Sequence, residues 1–230
     1  VTIISEGYPP VTVDLNDLAV KKEEYNTTES LVRGIAFAFK ERNLAIGGFC
    51  ANTSSKVLKG SGLSSSAAIE VLCGTIFNHL YNDDVLKPVD LAQIGQFAEN
   101  TYFGKPSGLM DQLACAYGGI IGIDFKHQVP KIQEVSCSFE EKGYRLVIVD
   151  TGGNHADLTH EYASVPIEMR AVAAFFGEEN LRFVSEERFL SELPDLRSSL
   201  QNDRSILRAL HFLEENKRVE KMLEALKADD

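Results

Sequence analysis

Three serines that follow a closely spaced glycine pair form the most chemically suggestive run in this chain: Lys59-Gly60-Ser61-Gly62-Leu63-Ser64-Ser65-Ser66-Ala67-Ala68. Two glycines one residue apart let the backbone approach a bulky anion without Cβ clashes. Ile69, Val71, Leu72 and Ile76 then mark a helix. The serines therefore fall at its start, where free N–H groups and the positive end of the helix dipole point at an anion. Serine hydroxyls in such a place can donate to phosphate or ligate Mg²⁺. A Gly-Ser turn with a serine N-cap accounts for the same residues without any ligand. The run is neither a Walker A loop, since no Gly-Lys-Ser/Thr follows, nor a GxGxxG fingerprint.

A second constellation joins Glu99 to Asp111 across Gly104-Lys105-Pro106-Ser107-Gly108-Leu109-Met110. Asp111 is expected in the first turn of a helix, where the dipole favours a carboxylate, and a carboxylate there can accept a hydroxyl proton. Glu99, on a preceding helix, is free to reach a metal. On spacing alone, a helix-start Asp and a solvated Glu are the favoured explanation. The third segment is Asp150-Thr151-Gly152-Gly153-Asn154-His155, with Tyr162 beyond it. A Gly-Gly turn at a strand end commonly lines a site. His155 and His160 are five apart, however, which is wrong for a paired metal site on one helix face. Tyr162 taken alone reads as a packing residue.

The elements that must position these residues can be read along the chain. Val1–Ile4 and Val11–Leu15 are expected as short strands around Gly7-Tyr8-Pro9-Pro10. Asn26 with Glu29 has capping-box spacing and opens a helix through Leu31, Ile35, Ala38 and Phe39. Ile46–Thr53 is expected to return as a strand. Asp90 should cap a helix through Leu91, Ile94, Ala98 and Glu99, and Ser107 should start a short helix ending at Gly118-Gly119. Ile120–Phe125, Lys131–Cys137 and Tyr144–Asp150 are strand candidates. The remainder reads as helical, with a long last helix from about Asp203 carrying Ile206, Leu207, Leu210 and Leu213 on one face. Strands first and helices later indicate an α+β class.

The chain has 230 residues, 44% hydrophobic and 25% charged, which is the composition of an ordinary globular protein with a sizeable core. A formal charge of −11 argues against nucleic acid or an anionic membrane as partner. Nucleotide phosphates remain admissible, since backbone amides and Mg²⁺ can neutralise them locally. No apolar run approaches the length of a membrane span, and the N-terminus has no signal-peptide pattern. The four cysteines are widely spaced and form no metal or disulfide pattern. They are expected as buried free thiols, and the chain as cytoplasmic.

Taken together, these segments resemble the galactokinase branch of the GHMP small-molecule kinases. Gly60 to Ala68 resembles that family's phosphate-binding motif. Ala98-Glu99-Asn100 followed by Gly104 to Gln112 resembles its catalytic segment, with Ser107 where galactokinases usually have Cys. Tyr162 matches the tyrosine that contacts the sugar, and the last helix, with Arg208, His211, Glu215 and Arg218-Val219, also fits. The family's N-terminal segment, with a catalytic Arg and a Gly-Glu-His-Thr-Asp signature, is not found in these residues. Nor is its Gly-rich C-terminal motif. The match therefore reads as a central segment, expected to be inactive or nearly so by itself.

The resemblance implies a fold like ribosomal protein S5 domain 2 for the N-terminal GHMP kinase domain, residues 1–155. Residues 156–230 would be the helical beginning of a second domain. It implies transfer of the γ-phosphoryl group of ATP to the anomeric hydroxyl of α-D-galactose. ATP would be held by Gly60, Ser61, Gly62, Leu63, Ser64, Ser65 and Ser66, and Mg²⁺ by Ser66 and Glu99, with those two side-chain oxygens roughly 4–6 Å apart around the ion. Asp111 would be the catalytic base, with Ser107, Gly108, Asp111 and Tyr162 on the sugar. Another sugar kinase of the family, such as one acting on N-acetylgalactosamine, and a non-catalytic sugar or ATP sensor are the alternatives. Surfaces left uncovered in such a segment would favour self-association.

Overall fold

The structure is a computed structural model that describes residues 1–57, 62–149 and 159–228. It is mixed helix and sheet, and the chain divides into two compact units, Val1–Gly119 and Ile120–Asp230. The expected domain boundary at residue 155 falls outside the described residues.

In the first unit β1 (Thr2–Ser5) is the middle strand of three. It pairs antiparallel with β2 (Val11–Thr12) and parallel with β3 (Cys50–Thr53), Thr2 facing Cys50 and Ser5 facing Thr53. A parallel pair needs a crossover, and α1 (Thr28–Glu41) lies in sequence between β1 and β3. Val32, Ile35 and Phe39 of α1 are fully buried, and they pack with Phe77 of α2 (Ser65–Asn82) and Ile94 of α3 (Pro88–Ala98) in one core. A π-helical turn, Glu99–Phe103, prolongs α3, and α4 (Met110–Tyr117) completes the unit.

Several helix starts differ from expectation. Thr27, not Asn26, caps α1, its hydroxyl accepting from the Ser30 amide at 3.4 Å. Asn26 sits at φ 64°, a left-handed conformation that Asn tolerates and that turns the chain ahead of the cap. Asp90 lies inside α3 and accepts from the Lys87 amide at 2.9 Å, so it serves the capping box from its third position. Pro88 opens the helix, where its missing N–H costs no hydrogen bond. The short helix begins at Met110 rather than Ser107, because Ser107 is held in the preceding loop by Asn100.

The second unit opens on a hairpin of β4 (Ile120–Asp124) and β5 (Lys131–Val135), Ile120 opposite Val135. Four α-helices follow among the described residues: α5 (Thr159–Phe175), α6 (Glu186–Ser191), α7 (Leu193–Leu200) and α8 (Asp203–Ala228). Val172, Phe176, Phe189, Leu196 and Leu213 form their core. The described part of the Tyr144–Asp150 candidate is not a strand. Leu146, Val147, Ile148 and Val149 are 60–82% exposed, and no described strand pairs with them. Leu207 likewise lies outside the expected face of α8, at 64% exposure, while Ile206 and Leu213 are buried. Of the cysteines only Cys73 is buried, which pushes its thiol up to about 12, while Cys50 and Cys115 are exposed.

Candidate functional site

Ser64, Ser65 and Ser66 stand at the start of α2 as the sequence requires. Ser64 adopts φ 54°, ψ 58°, a left-handed conformation uncommon for a residue with a Cβ. Its hydroxyl donates to Oδ2 of Asp111, which occupies the first turn of α4. Ser65 is the first helical residue and is exposed. Ser66 Oγ donates to Oε1 of Glu99 at 2.9 Å. Two hydroxyls of the serine run thus meet the two carboxylates of the second constellation, across 47 and 33 residues of chain.

Glu99 is 2% exposed, and both of its oxygens are engaged. Oε1 also lies 3.3 Å from Lys105 Nζ, and Oε2 accepts from Gln112 Nε2 at 2.8 Å. Its place in a π-helical turn is notable because such bulges recur at functional sites. Between Glu99 and Asp111 the loop is clasped by Asn100, whose Oδ1 accepts from the Ser107 amide at 2.6 Å and from the Ser107 hydroxyl at 3.2 Å. Gln96 Nε2 donates to the Ser107 carbonyl at 3.2 Å. Gly104 makes the turn at φ 80°, and a Cβ there would come 2.7 Å from the ring of Tyr25. Gly108, beyond the clasp, is exposed.

The hydroxyl and carboxylate oxygens are hard donors of the kind Mg²⁺ takes. Adjacent ligands of an octahedral ion with bonds near 2.0–2.1 Å stand about 2.9 Å apart. The Ser66 Oγ–Glu99 Oε1 separation of 2.9 Å fits that geometry. The expectation of roughly 4–6 Å is thereby corrected, since adjacent ligands of one ion stand closer than that and here the hydroxyl donates directly to the carboxylate. Among the described residues no group of three or more His, Cys, Asp or Glu side chains gathers. The pair would thus supply two protein oxygens, as Mg²⁺ sites completed by phosphates and water do.

Gly60, Ser61 and the segment 150–158 lie outside the described residues, as does the side chain of Tyr162 in α5. Gly62 and Leu63 are exposed just ahead of Ser64. Two buried residues beside the site carry weight that the sequence reading did not assign, Glu70 and Gln112. Gln112 Nε2 donates to Oε2 of Glu70 at 2.9 Å as well as to Glu99. The available signal was spacing: Glu70 lies four residues after Ser66, one turn along the same face of α2, among residues too apolar to solvate a carboxylate.

The chain is similar to known proteins in sequence and in fold. The GHMP kinases N terminal domain family matches residues 30–119. A galactokinase of Actinobacillus pleuropneumoniae is 38% identical over 180 residues, 77% of this chain and 45% of the relative. A galactokinase of Glaesserella parasuis is 35% identical over 232 residues, 95% of this chain and 57% of the relative. The chain thus spans about half the length of the curated relatives it matches. A crystal structure of Lactococcus lactis galactokinase complexed with galactose shares the fold, with a TM-score of 0.74 over 99% of this chain and 58% of that one, at 23% identity.

Proposed function

We propose a sugar kinase site, from the match of residues 30–119 to the GHMP kinases N terminal domain family and from the chain's similarity to galactokinases over most of its length. The proposed reaction moves the γ-phosphoryl group of ATP to the anomeric hydroxyl of galactose, giving ADP, galactose 1-phosphate and a proton. One observation supports it above the others: the hydroxyls of Ser64 and Ser66, at a helix start, meet the carboxylates of Asp111 and Glu99. A helix start offers amides to phosphate, and paired carboxylates offer a metal ligand and a proton acceptor, the parts that phosphoryl transfer requires.

In this reading Gly60 to Ser66 cradle the phosphates with backbone amides and hydroxyls. Ser66 and Glu99 hold Mg²⁺, which when bound neutralises phosphate charge. Asp111 accepts the proton of the attacking sugar hydroxyl. Its bond from Ser64 sets the carboxylate at the phosphate end of α2. Ser107 and Gly108 bound the sugar side, Ser107 fixed by the Asn100 clasp. Tyr162 packs on the sugar. Residues 1–155 form the ATP-binding domain and 156–230 the beginning of a second one.

The reading is tested by incubating the whole protein with Mg²⁺, ATP and either galactose or N-acetylgalactosamine, following ADP and sugar phosphate. Galactose 1-phosphate formed in step with ADP is the expected result. Phosphorylation of N-acetylgalactosamine in preference to galactose would move the substrate. Nucleotide and sugar binding with no transfer to either would replace the enzyme by a sensor.

A further inference from the structure

Directly behind the Ser66–Glu99 pair, two buried polar side chains with no role in the proposed site join Glu99 in a hydrogen-bonded chain. Glu70 of α2 is 1% exposed, Gln112 of α4 is 0% exposed, and Glu99 is 2% exposed. The single amide nitrogen of Gln112 spends both its hydrogens here, one on Glu70 Oε2 and one on Glu99 Oε2. The opposite atoms, Glu70 Oε1 and Gln112 Oε1, are buried without a hydrogen-bond partner. A polar chain of this kind is costly in a core, and an apolar pair of the same shape would avoid the unsatisfied atoms. Its presence calls for a task.

We propose that Glu70 is a positioning residue, which through Gln112 fixes the Glu99 carboxylate in the plane that presents Oε1 to Ser66. A carboxylate held at one oxygen can still swing about its last torsion, whereas Glu99 is held at both. The bond at Oε2 is only as firm as the Gln112 amide. That amide is clamped between two acceptors, so it turns its nitrogen and not its oxygen toward Glu99. α3 leaves room for the clamp at Gly95, where a Cβ would stand 3.1 Å from Glu70 Oε2 and 3.2 Å from Gln112 Cγ. Burial, with Glu99 adding to it, pushes the Glu70 carboxyl up to about 8 against the lowering effect of the Gln112 bond. Glu70 is therefore mostly a neutral acid near pH 7, and a neutral acceptor suffices for the clamp.

The inference rests on the reading of Glu99 as a metal ligand, and the experiment separates the two. The gain in ATP affinity on adding Mg²⁺ is measured by calorimetry on this chain, as wild type and as Glu70→Leu, Glu70→Gln, Gln112→Met and Glu99→Ala. Partners that orient a metal ligand typically account for 10–100-fold in metal affinity. Glu70→Leu and Gln112→Met are expected to shrink the gain by about that factor, with metal-free ATP binding unchanged. Glu70→Gln, which keeps a neutral acceptor, should stay near wild type. If Glu70→Leu does not fold, Gln112→Met carries the same test. A full Mg²⁺ gain in Glu70→Leu or Gln112→Met, alongside a lost gain in Glu99→Ala, overturns the positioning role alone. Equal damage from Glu70→Gln and Glu70→Leu also overturns it. A full gain in Glu99→Ala, or no gain in wild type, overturns the metal-ligand reading and this inference together. A crystal structure of Gln112→Met with Glu99 Oε1 still 2.9 Å from Ser66 Oγ would count against it independently.

Discussion

At the scale of single residues, the site is a set of hydroxyl–carboxylate pairs in which each partner limits the other. Ser66 supplies one oxygen of the proposed Mg²⁺ pair, so Ser66→Ala should raise the Mg²⁺ concentration that supports turnover as well as slow it. A variant slowed at every Mg²⁺ concentration, with no change in metal requirement, would show that Ser66 acts on the phosphates alone.

Glu70 makes a separate, thermodynamic prediction. Its folded-state value near 8 lies above the roughly 4.3 of a free glutamate. Between those values the unfolded chain has lost this proton while the folded chain keeps it. The site's contribution to stability therefore falls as pH rises through that window, by at most about 1.4 kcal/mol per pH unit. Glu70→Gln removes the titration. Its melting temperature relative to wild type should climb from pH 5 to pH 8 and level off above. A difference that stays constant with pH would show that Glu70 is not a buried acid.

At the scale of elements, α2, α3 and α4 act together because their polar side chains meet across tight packing. Gly95 on α3 faces both Glu70 and Gln112, and Gly95→Val would force methyl groups into atoms already near contact. Overpacking of this kind costs about 1–3 kcal/mol, read as a lowered denaturation midpoint with an unchanged slope. An unaffected midpoint would mean that α3 has slack there.

Much of this layer could be read from the sequence where one local signal dominated. The apolar face of α1, the serine-started α2, the β4–β5 pair and the start of α8 at Asp203 all follow from periodicity or a clear breaker. Where tertiary bonds decided, the sequence was silent. Ser107 could have begun a helix, yet Asn100 seven residues earlier captures its amide and hydroxyl. Leu146 to Val149 has ideal strand composition, but composition cannot supply a partner strand, and among the described residues none is there. Of the site, residue types and order were legible. The buried Glu70–Gln112–Glu99 chain was not, because it depends on two helices meeting 42 residues apart in sequence.

At the scale of the molecule, two units each have their own core, and no described helix is long and apolar enough to cross a membrane. The exposed run Leu146–Val149 carries apolar side chains and pairs with no described strand, a template for pairing with the same run of a second copy. Sedimentation of this chain should then depend on concentration, and Val147→Lys should weaken that dependence. A single species across concentrations would argue against such pairing.

The central claim is that the carboxylate at the start of α4 serves phosphoryl transfer from the anion site at the start of α2. Asp111→Asn keeps the shape of the side chain while removing its charge and basicity. The decisive measurement is γ-phosphoryl transfer from ATP to galactose by the whole protein, wild type against Asp111→Asn. Turnover should fall by roughly two to four decades with galactose and ATP binding little changed. Near-normal turnover in Asp111→Asn would contradict the account.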